Sequence, residues 1–217
     1  MFGEGEKAYT PFTSIDRFKP PVGWKLVPMK ELVSSPITRG YTPSEHLNTP
    51  NASIPFIKVT HLSDDGVLQL ERDPFHLERV AHEGQLGRSR VSPGDILISL
   101  IGPPLGKHAL VPTTVPESNI NQAIAIYRFD DDIYRRYVLH YLRTEHALTW
   151  LRNNSKKTSG QQNLTLQVVG ALPVPLPPRE RLELLVKRLA KYAEGSASCT
   201  AHINATLGLR TSILNAL

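Results

Sequence analysis

Cysteine is nearly absent from this sequence: Cys199 stands alone among 217 residues. One thiol excludes an internal disulfide and a multi-cysteine zinc site, and suits a reducing, cytoplasmic setting. Long apolar runs are missing as well. No eighteen consecutive apolar residues occur, so no membrane span is expected. The opening MFGEGEKAYTPF has no apolar signal region. Metal chemistry has little to stand on. The eight histidines are scattered, and the spacing of His140 and His146 puts them on different faces of any helix carrying both. A lone histidine has many structural uses, so neither a metal nor a cofactor is expected. Asp64–Asp65 and Asp130–Asp132 read as turn residues rather than acid–base pairs. No nucleophile, base and acid come together in the pattern, so no catalytic residue is named.

Apolar residues make up 40% of the chain, and the length allows one domain with an appendage. The net charge is +5, unevenly placed. Between Arg135 and Gly160, Arg135, Arg136, Arg143, Arg152, Lys156 and Lys157 face only Glu145. From Arg179 to the end, six basic residues face three acidic ones. Two basic regions on an otherwise balanced chain suggest two contact surfaces, a pattern compatible with nucleic acid.

One stretch imitates a nucleotide-binding loop. ILISLIGPPLGKHALVP carries Gly102, Pro103, Pro104, Gly106 and Lys107. A phosphate loop needs four residues between its first glycine and the Gly-Lys pair, then Ser or Thr for magnesium. Here Pro103, Pro104 and Leu105 are the only spacers, and His108 follows Lys107. The stretch is therefore read as a buried strand over 95–101, a Gly-Pro turn, and a second strand.

Along the chain, residues 1–21 are read as a leader or linker. GWKLVPMKELVSS offers a short strand and a short helix, and 36–53 a long loop. IPFIKVTHL, GKHALVP and NQAIAIYRF read as strands. Leu77–Gly84 is expected to form a short helix, and 134–153 a longer one on the recurrence of Tyr137, Val138, Tyr141, Leu142, Leu148 and Leu151. KKTSGQQNLT reads as a polar loop, and ALPVPLPP as a stiff, extended exit. Past Pro178, Leu182, Leu185, Leu189, Tyr192, Ser196, Cys199, Ile203, Leu207, Arg210, Leu214 and Leu217 step by threes and fours, a coiled-coil seam weakened by Gly195 and Gly208. Unbroken, that helix would span about 55 Å. It should pack against another helix, from a partner chain. The expected architecture is mixed α/β: one globule over 22–178 with a curled, mostly antiparallel sheet and short helices, then the long helix over 179–217.

The ordered set PPVGWKLVPMKELV, IPFIKVTHL, RSRVSPGDILISLIGPPLGKHALVP, NINQAIAIYRF and SGQQNLTLQVVGALPVPLPPRERLELLVKRL resembles the specificity subunit of type I restriction–modification enzymes, from about residue 21 to the end. The resemblance implies a non-catalytic reader of double-stranded DNA. Its α/β target recognition domain would read half of a split site. Its long helix would set half-site spacing, self-associate, and dock DNA methyltransferase and restriction subunits. The family pattern has two such domains and two helices, and this sequence has one of each. It is either a half-length subunit that dimerises on a symmetric site or one half of a longer chain. An adenine methyltransferase would carry an Asn/Asp-Pro-Pro-aromatic motif. Asp73-Pro74-Phe75 is the nearest stretch and lacks one proline, so catalysis is not expected.

The residues expected to meet DNA follow from side-chain chemistry. Arg152, Lys156 and Lys157 suit phosphates, while Gln161, Gln162 and Asn163, with Ser159 in the same loop, suit base edges. Arg88, Arg90, Lys107 and His108 are expected to form a second strip on the same face. Leu182, Leu185, Leu189, Ile203 and Leu207 are expected to face the partner helix. The competing reading is a protein–protein adaptor whose basic surface is incidental. Salt-dependent, sequence-selective duplex binding separates the two.

Overall fold

A computed structural model describes residues 20–84, 86–158, 161–192 and 195. The chain divides into two compact units, Met1–Leu176 and Pro177–Leu217. Most of the expected leader, Ser159, and the seam beyond Tyr192 (Cys199, Ile203 and Leu207 included) lie outside the described residues.

The first unit opens with β1 (Lys25–Pro28), β2 (Thr38–Arg39) and β3 (Ala52–Ile57), then β4 (His76–Glu78) running into α1 (Arg79–Glu83). Next come β5 (Ile96–Ser99), β6 (Ile101–Gly102), β7 (His108–Leu110), β8 (Asn119–Ile120) and β9 (Ile124–Tyr127). The unit ends with α2 (Asp132–Tyr141), α3 (Glu145–Asn153), β10 (Lys156–Thr158), β11 (Gln161–Asn163), α4 (Leu166–Ala171) and β12 (Pro173–Leu176). These strands form four small sheets instead of the single curled one expected: β1-β12, β10-β11-β6, β2-β9-β5-β7 and β4-β3-β8. Among the described residues, every pairing between these strands is antiparallel except β3 with β8.

The four-stranded sheet is built on β5 and β9, both buried along their whole length. Strands buried on both faces read as continuous apolar runs rather than alternating ones, which is why ILIS and IAIY are legible as strands. Ile57, Leu62, Leu97, Ala109, Val111, Ile120, Ile124 and Ile126 form one core cluster; Ile54, Phe56, Leu77, Ala81 and Leu86 form another. The proline-rich exit is partly a strand. β12 pairs with β1 in the register Pro28↔Pro173, Val27↔Val174, Leu26↔Pro175. With only two strands, its prolines occupy an edge, where their missing N–H is tolerated.

The helix expected over 134–153 is two. Thr144 has extended backbone, accepts from the Ala147 N–H, and starts α3 as its N-cap. Side-chain capping of this kind stabilises a new helix start by about 1 kcal/mol, and the apolar spacing continues across the break because both helices cover one core. Asp131 caps α2 in the same way. Tyr137 and Tyr141, stacked at 6.5 Å, donate their hydroxyls to the Pro175 and Pro173 carbonyls, each at 2.5 Å. α2 thereby fastens β12. Asp73-Pro74-Phe75 is a structural corner: Lys58 pairs with Asp73 at 2.7 Å and lies 4.1 Å above the Phe75 ring.

In the second unit, residues 179–192 are helical. Leu182 and Val186 are buried, Leu185 and Leu189 partly so, and Leu184 and Tyr192 are 58% and 76% exposed. Among the described residues, no helix is long and apolar enough to cross a membrane.

Candidate nucleic-acid interface

The segment read as a polar loop is a hairpin. β10 and β11 pair in the register Lys156↔Asn163 and Lys157↔Gln162. β11 then pairs with β6, setting Gln162 opposite Gly102 and Asn163 opposite Ile101. The amide-rich segment therefore joins the Gly-Pro turn in one three-stranded sheet. Directly opposed residues of an antiparallel pair share a face, and alternate residues face opposite ways. Lys157 and Gln162 thus share one face, and Lys156, Gln161 and Asn163 the other. Gly102 brings no side chain to the Gln162 face, which leaves that face open across β6.

The turn itself is tightly built. The Gly102–Pro103 and Pro103–Pro104 bonds are cis, and Gly106 has φ +79°. A Cβ at Gly102 would lie 2.6 Å from the Leu105 nitrogen, and one at Gly106 3.0 Å from Leu148 Cδ2. The glycines therefore serve the backbone's close approach to itself and to α3, as the turn reading requires. α3 backs the turn with Leu148 and Leu151, buries Trp150 completely, and runs almost directly into β10. The Ser99 N–H donates to the Lys107 carbonyl at 2.7 Å, and the Leu164 N–H to the Leu100 carbonyl at 2.7 Å. Lys107 is thereby held at the same end of β5 as the hairpin.

Electrostatics separates the basic run into two kinds of residue. Arg135 and Arg136 both pair with Asp132, Arg143 donates to the Asp65 carbonyl, and Arg152 is tied to Glu145 and Thr149. Arg135, Arg136 and Arg152 are thus paired within their own helices, and Arg143 reaches across to the 64–66 turn. Lys156 and Lys157 are exposed and have no ion-pair partner among the described residues. Their charge is thus available to a phosphate, while Arg152 would first have to leave Glu145.

The second strip is divided: Lys107 lies at the hairpin's end of β5, while Arg88 and Arg90 lie elsewhere. Arg88 and Arg90 are exposed on an open cleft of about 470 Å³, together with Ser35, Pro36, Thr38 and Arg128. Arg90 donates twice to the His82 carbonyl, at 3.0 and 2.6 Å. Arg128 grips the buried Asp95 at 2.8 and 2.6 Å. Asp95 precedes β5 and Gly102 ends β6, so the cleft and the hairpin belong to opposite ends of the same strand path. His108 is not at the surface. It is 1% exposed, with Nδ1 3.1 Å from the Gly106 carbonyl.

Burial pushes the His108 imidazole below its ordinary value of 6.5, and the Arg143 guanidinium acts in the same direction. His140 and His146 are lowered by burial too. As pH falls below 6.5 the unfolded chain binds these protons first, so the stabilisation is whole above that value and is lost on acidification. Denaturant melts from pH 7 to pH 5 should show falling stability, and His108→Leu should flatten the slope. A wild-type chain equally stable across that window would mean that His108 is not held neutral.

Sequence reasoning missed the turn at Asn121–Ile124. Gln122 sits there, exposed, and accepts from the Thr42 hydroxyl. The available signal was the polar pair in NINQ, interrupting an otherwise apolar stretch.

The chain matches the type I restriction modification DNA specificity domain over residues 21–208. Among solved structures, it is similar to a chain from a study of complex assembly and conformational transition of the type I R-M system, with TM-score 0.61 and 20% identity, covering 85% of this chain and 42% of that one. It is also similar to the HsdS subunit from Thermoanaerobacter tengcongensis, with TM-score 0.57 and 21% identity over 85% and 40% of the two chains. The S subunit of a type I restriction-modification system from M. genitalium gives 0.52 and 13% over 82% and 41%. The present chain thus spans about two fifths of the length of each. With the family description covering most of its length, the chain belongs to the type I restriction-modification DNA specificity family.

Proposed function

We propose that this chain reads double-stranded DNA as a non-catalytic specificity subunit, and that it does so with the hairpin β10–β11 and the adjoining Gly-Pro turn. The observation that carries the proposal is the pairing of β11 with β6. It fixes two free lysines and three amide side chains on one rigid support. Lysines neutralise phosphates without reading sequence, and amides form paired hydrogen bonds to base edges. A strand ribbon fits a major groove about 12 Å wide. Lys107 extends the contact from the turn. Arg88 and Arg90, at the other end of the β5–β6 path, would meet a separate stretch of backbone.

Of Gln161→Ala and Gln162→Ala, the substitution on the face turned to DNA should change base preference more than affinity in a selection from randomised duplexes. Each well-paired amide discriminates by about 1–3 kcal/mol. Because the two residues face opposite ways, only one of the two substitutions is expected to change preference. An unchanged preference in both removes the hairpin as the reader. The adaptor reading predicts no enriched sequence for the wild-type chain.

The unit from Pro177 onward is proposed to serve assembly, through Leu182, Leu185 and Leu189, continued by Ile203 and Leu207. Its partners would be a second copy of the chain, methyltransferase subunits and restriction subunits. Sedimentation of the chain, alone and co-expressed with a methyltransferase subunit, checks this. A monomer that binds no such subunit contradicts it.

A further inference from the structure

The two sheets carrying the hairpin and the β5–β9 core are one continuous ladder at one end. β6 continues β5 after the single residue Leu100. The Leu100 N–H donates to the Ala123 carbonyl at 2.8 Å, and the Leu100 carbonyl accepts from Leu164 at 2.7 Å. On the far side of β9, the Gly40 N–H donates to the Ile124 carbonyl at 3.1 Å. One row therefore crosses Gly40, Ala123, Leu100–Ile101, Asn163–Leu164 and Lys156. Four strand spacings of about 4.8 Å make it roughly 19 Å long. Lys156 stands at one end and the Tyr41–Thr42 segment at the other, with Gln122 next to the latter.

Gln122 is held there by its neighbours. The Ile124 N–H donates to the Asn121 carbonyl at 3.2 Å, closing a four-residue turn with Gln122 at its second position. The Ala123 N–H donates to Asn121 Oδ1 at 3.1 Å, and the Asn121 N–H to the Ile57 carbonyl at 3.0 Å. Thr42 donates to Gln122 Oε1. That bond orients the amide through one lone pair of its oxygen and leaves both Nε2 hydrogens as donors. The side chain is exposed, and Tyr41 beside Thr42 is 56% exposed. A preorganised donor pair on a turn loses little freedom when it binds.

We infer that Gln122 is a further DNA-contacting residue, donating through its amide nitrogen to an acceptor of the duplex, with Thr42 as its positioning residue. The inference rests on the DNA-reading role proposed above. The acceptor is either a base edge, such as guanine N7 or O6, or a phosphate oxygen. Both are acceptors without a proton of their own, and both reject a carboxylate.

The decisive variant is Gln122→Glu. It keeps an oxygen for Thr42 and replaces the two donors with an anion. Duplex binding by the full chain is measured in parallel for wild type, Gln122→Glu, Gln122→Ala and Lys156→Ala/Lys157→Ala, with thermal midpoints recorded for each. Gln122→Ala should lose about tenfold in affinity, the loss of one hydrogen bond. Gln122→Glu should lose more, with both thermal midpoints near wild type. A loss equal on all sequences assigns the contact to phosphate, and a loss confined to one base position assigns it to a base edge. Wild-type affinity in both Gln122 variants, with the lysine pair still weakening binding, overturns the inference and leaves the DNA-reading role standing. A wild-type chain without salt-dependent duplex binding overturns both.

Discussion

Replacing Lys156 and Lys157 together with alanine is expected to weaken binding to every duplex alike and to flatten its salt dependence. Each phosphate neutralised by a basic side chain releases condensed counterions, so log K falls against log salt by about 0.9 per contact. Their side chains leave opposite faces of the hairpin, so removing both should reduce the slope by about 1–2 and the affinity at 0.15 M salt by about tenfold. Base preference should be untouched, because phosphates carry no sequence information directly. The basis for choosing these two residues is structural. The arginines that give the same stretch its charge are already committed: Arg135 and Arg136 to Asp132, Arg152 to Glu145. Arg136→Ala is accordingly a control expected to leave the slope near its wild-type value. Titrations at several salt concentrations read all three outcomes.

The second large effect is on stability. Gly40 meets the turn before β9 so closely that a Cβ there would fall inside the contact radius of the Ile120 and Asn121 carbonyl oxygens. Both neighbours are backbone and cannot rotate away, and Asn121 is itself held by Ile57. Overpacking in a well-packed site costs about 1–3 kcal/mol and more where backbone must move. Gly40→Ala is expected to cost at least about 3 kcal/mol. In a domain of this size each kcal/mol lowers the midpoint by about 2–4 °C, so the melt should shift by roughly 6–12 °C. Gly87→Ala, at a position with nothing within 4 Å, should melt close to wild type. Equal midpoints for the two variants would mean that β2 does not approach the turn as described.

Much of this fold is written locally. β5 and β9 announce themselves as apolar runs because they are buried on both faces. Gly102, Pro103 and Pro104 announce a turn because neither proline can donate to a ladder. Asp131 and Thr144 are ordinary helix-start residues, and Thr144 was a legible break within the 134–153 pattern. What is not local was not legible. Gln161, Gln162 and Asn163 have little intrinsic preference for strand. They form one because β6 lies alongside and accepts their pairing, a contact across about sixty residues of sequence. The charge run misled for a related reason: four of its six basic side chains find partners inside the fold, two of them on Asp132. His108 looked like a surface donor beside Lys107, but strand alternation turns neighbouring residues to opposite faces, and His108 faces in. Arg88 and Arg90 could not be placed relative to the hairpin without the path of β5. The family resemblance was specific as an ordered set of motifs, but it carried no information on which loop meets DNA.

Amide hydrogen exchange, with and without a duplex enriched from a randomised pool, shows which backbone the DNA covers. Exposed hairpins exchange readily unless they are covered, so a bound duplex leaves a footprint on the backbone beneath it. A duplex seated on the hairpin and the turn should slow exchange at 101–102, 105–107, 156–158 and 161–163, the two prolines carrying no amide hydrogen. Protection confined to the cleft at Arg88 and Arg90, with the hairpin exchanging as in the free chain, would contradict it.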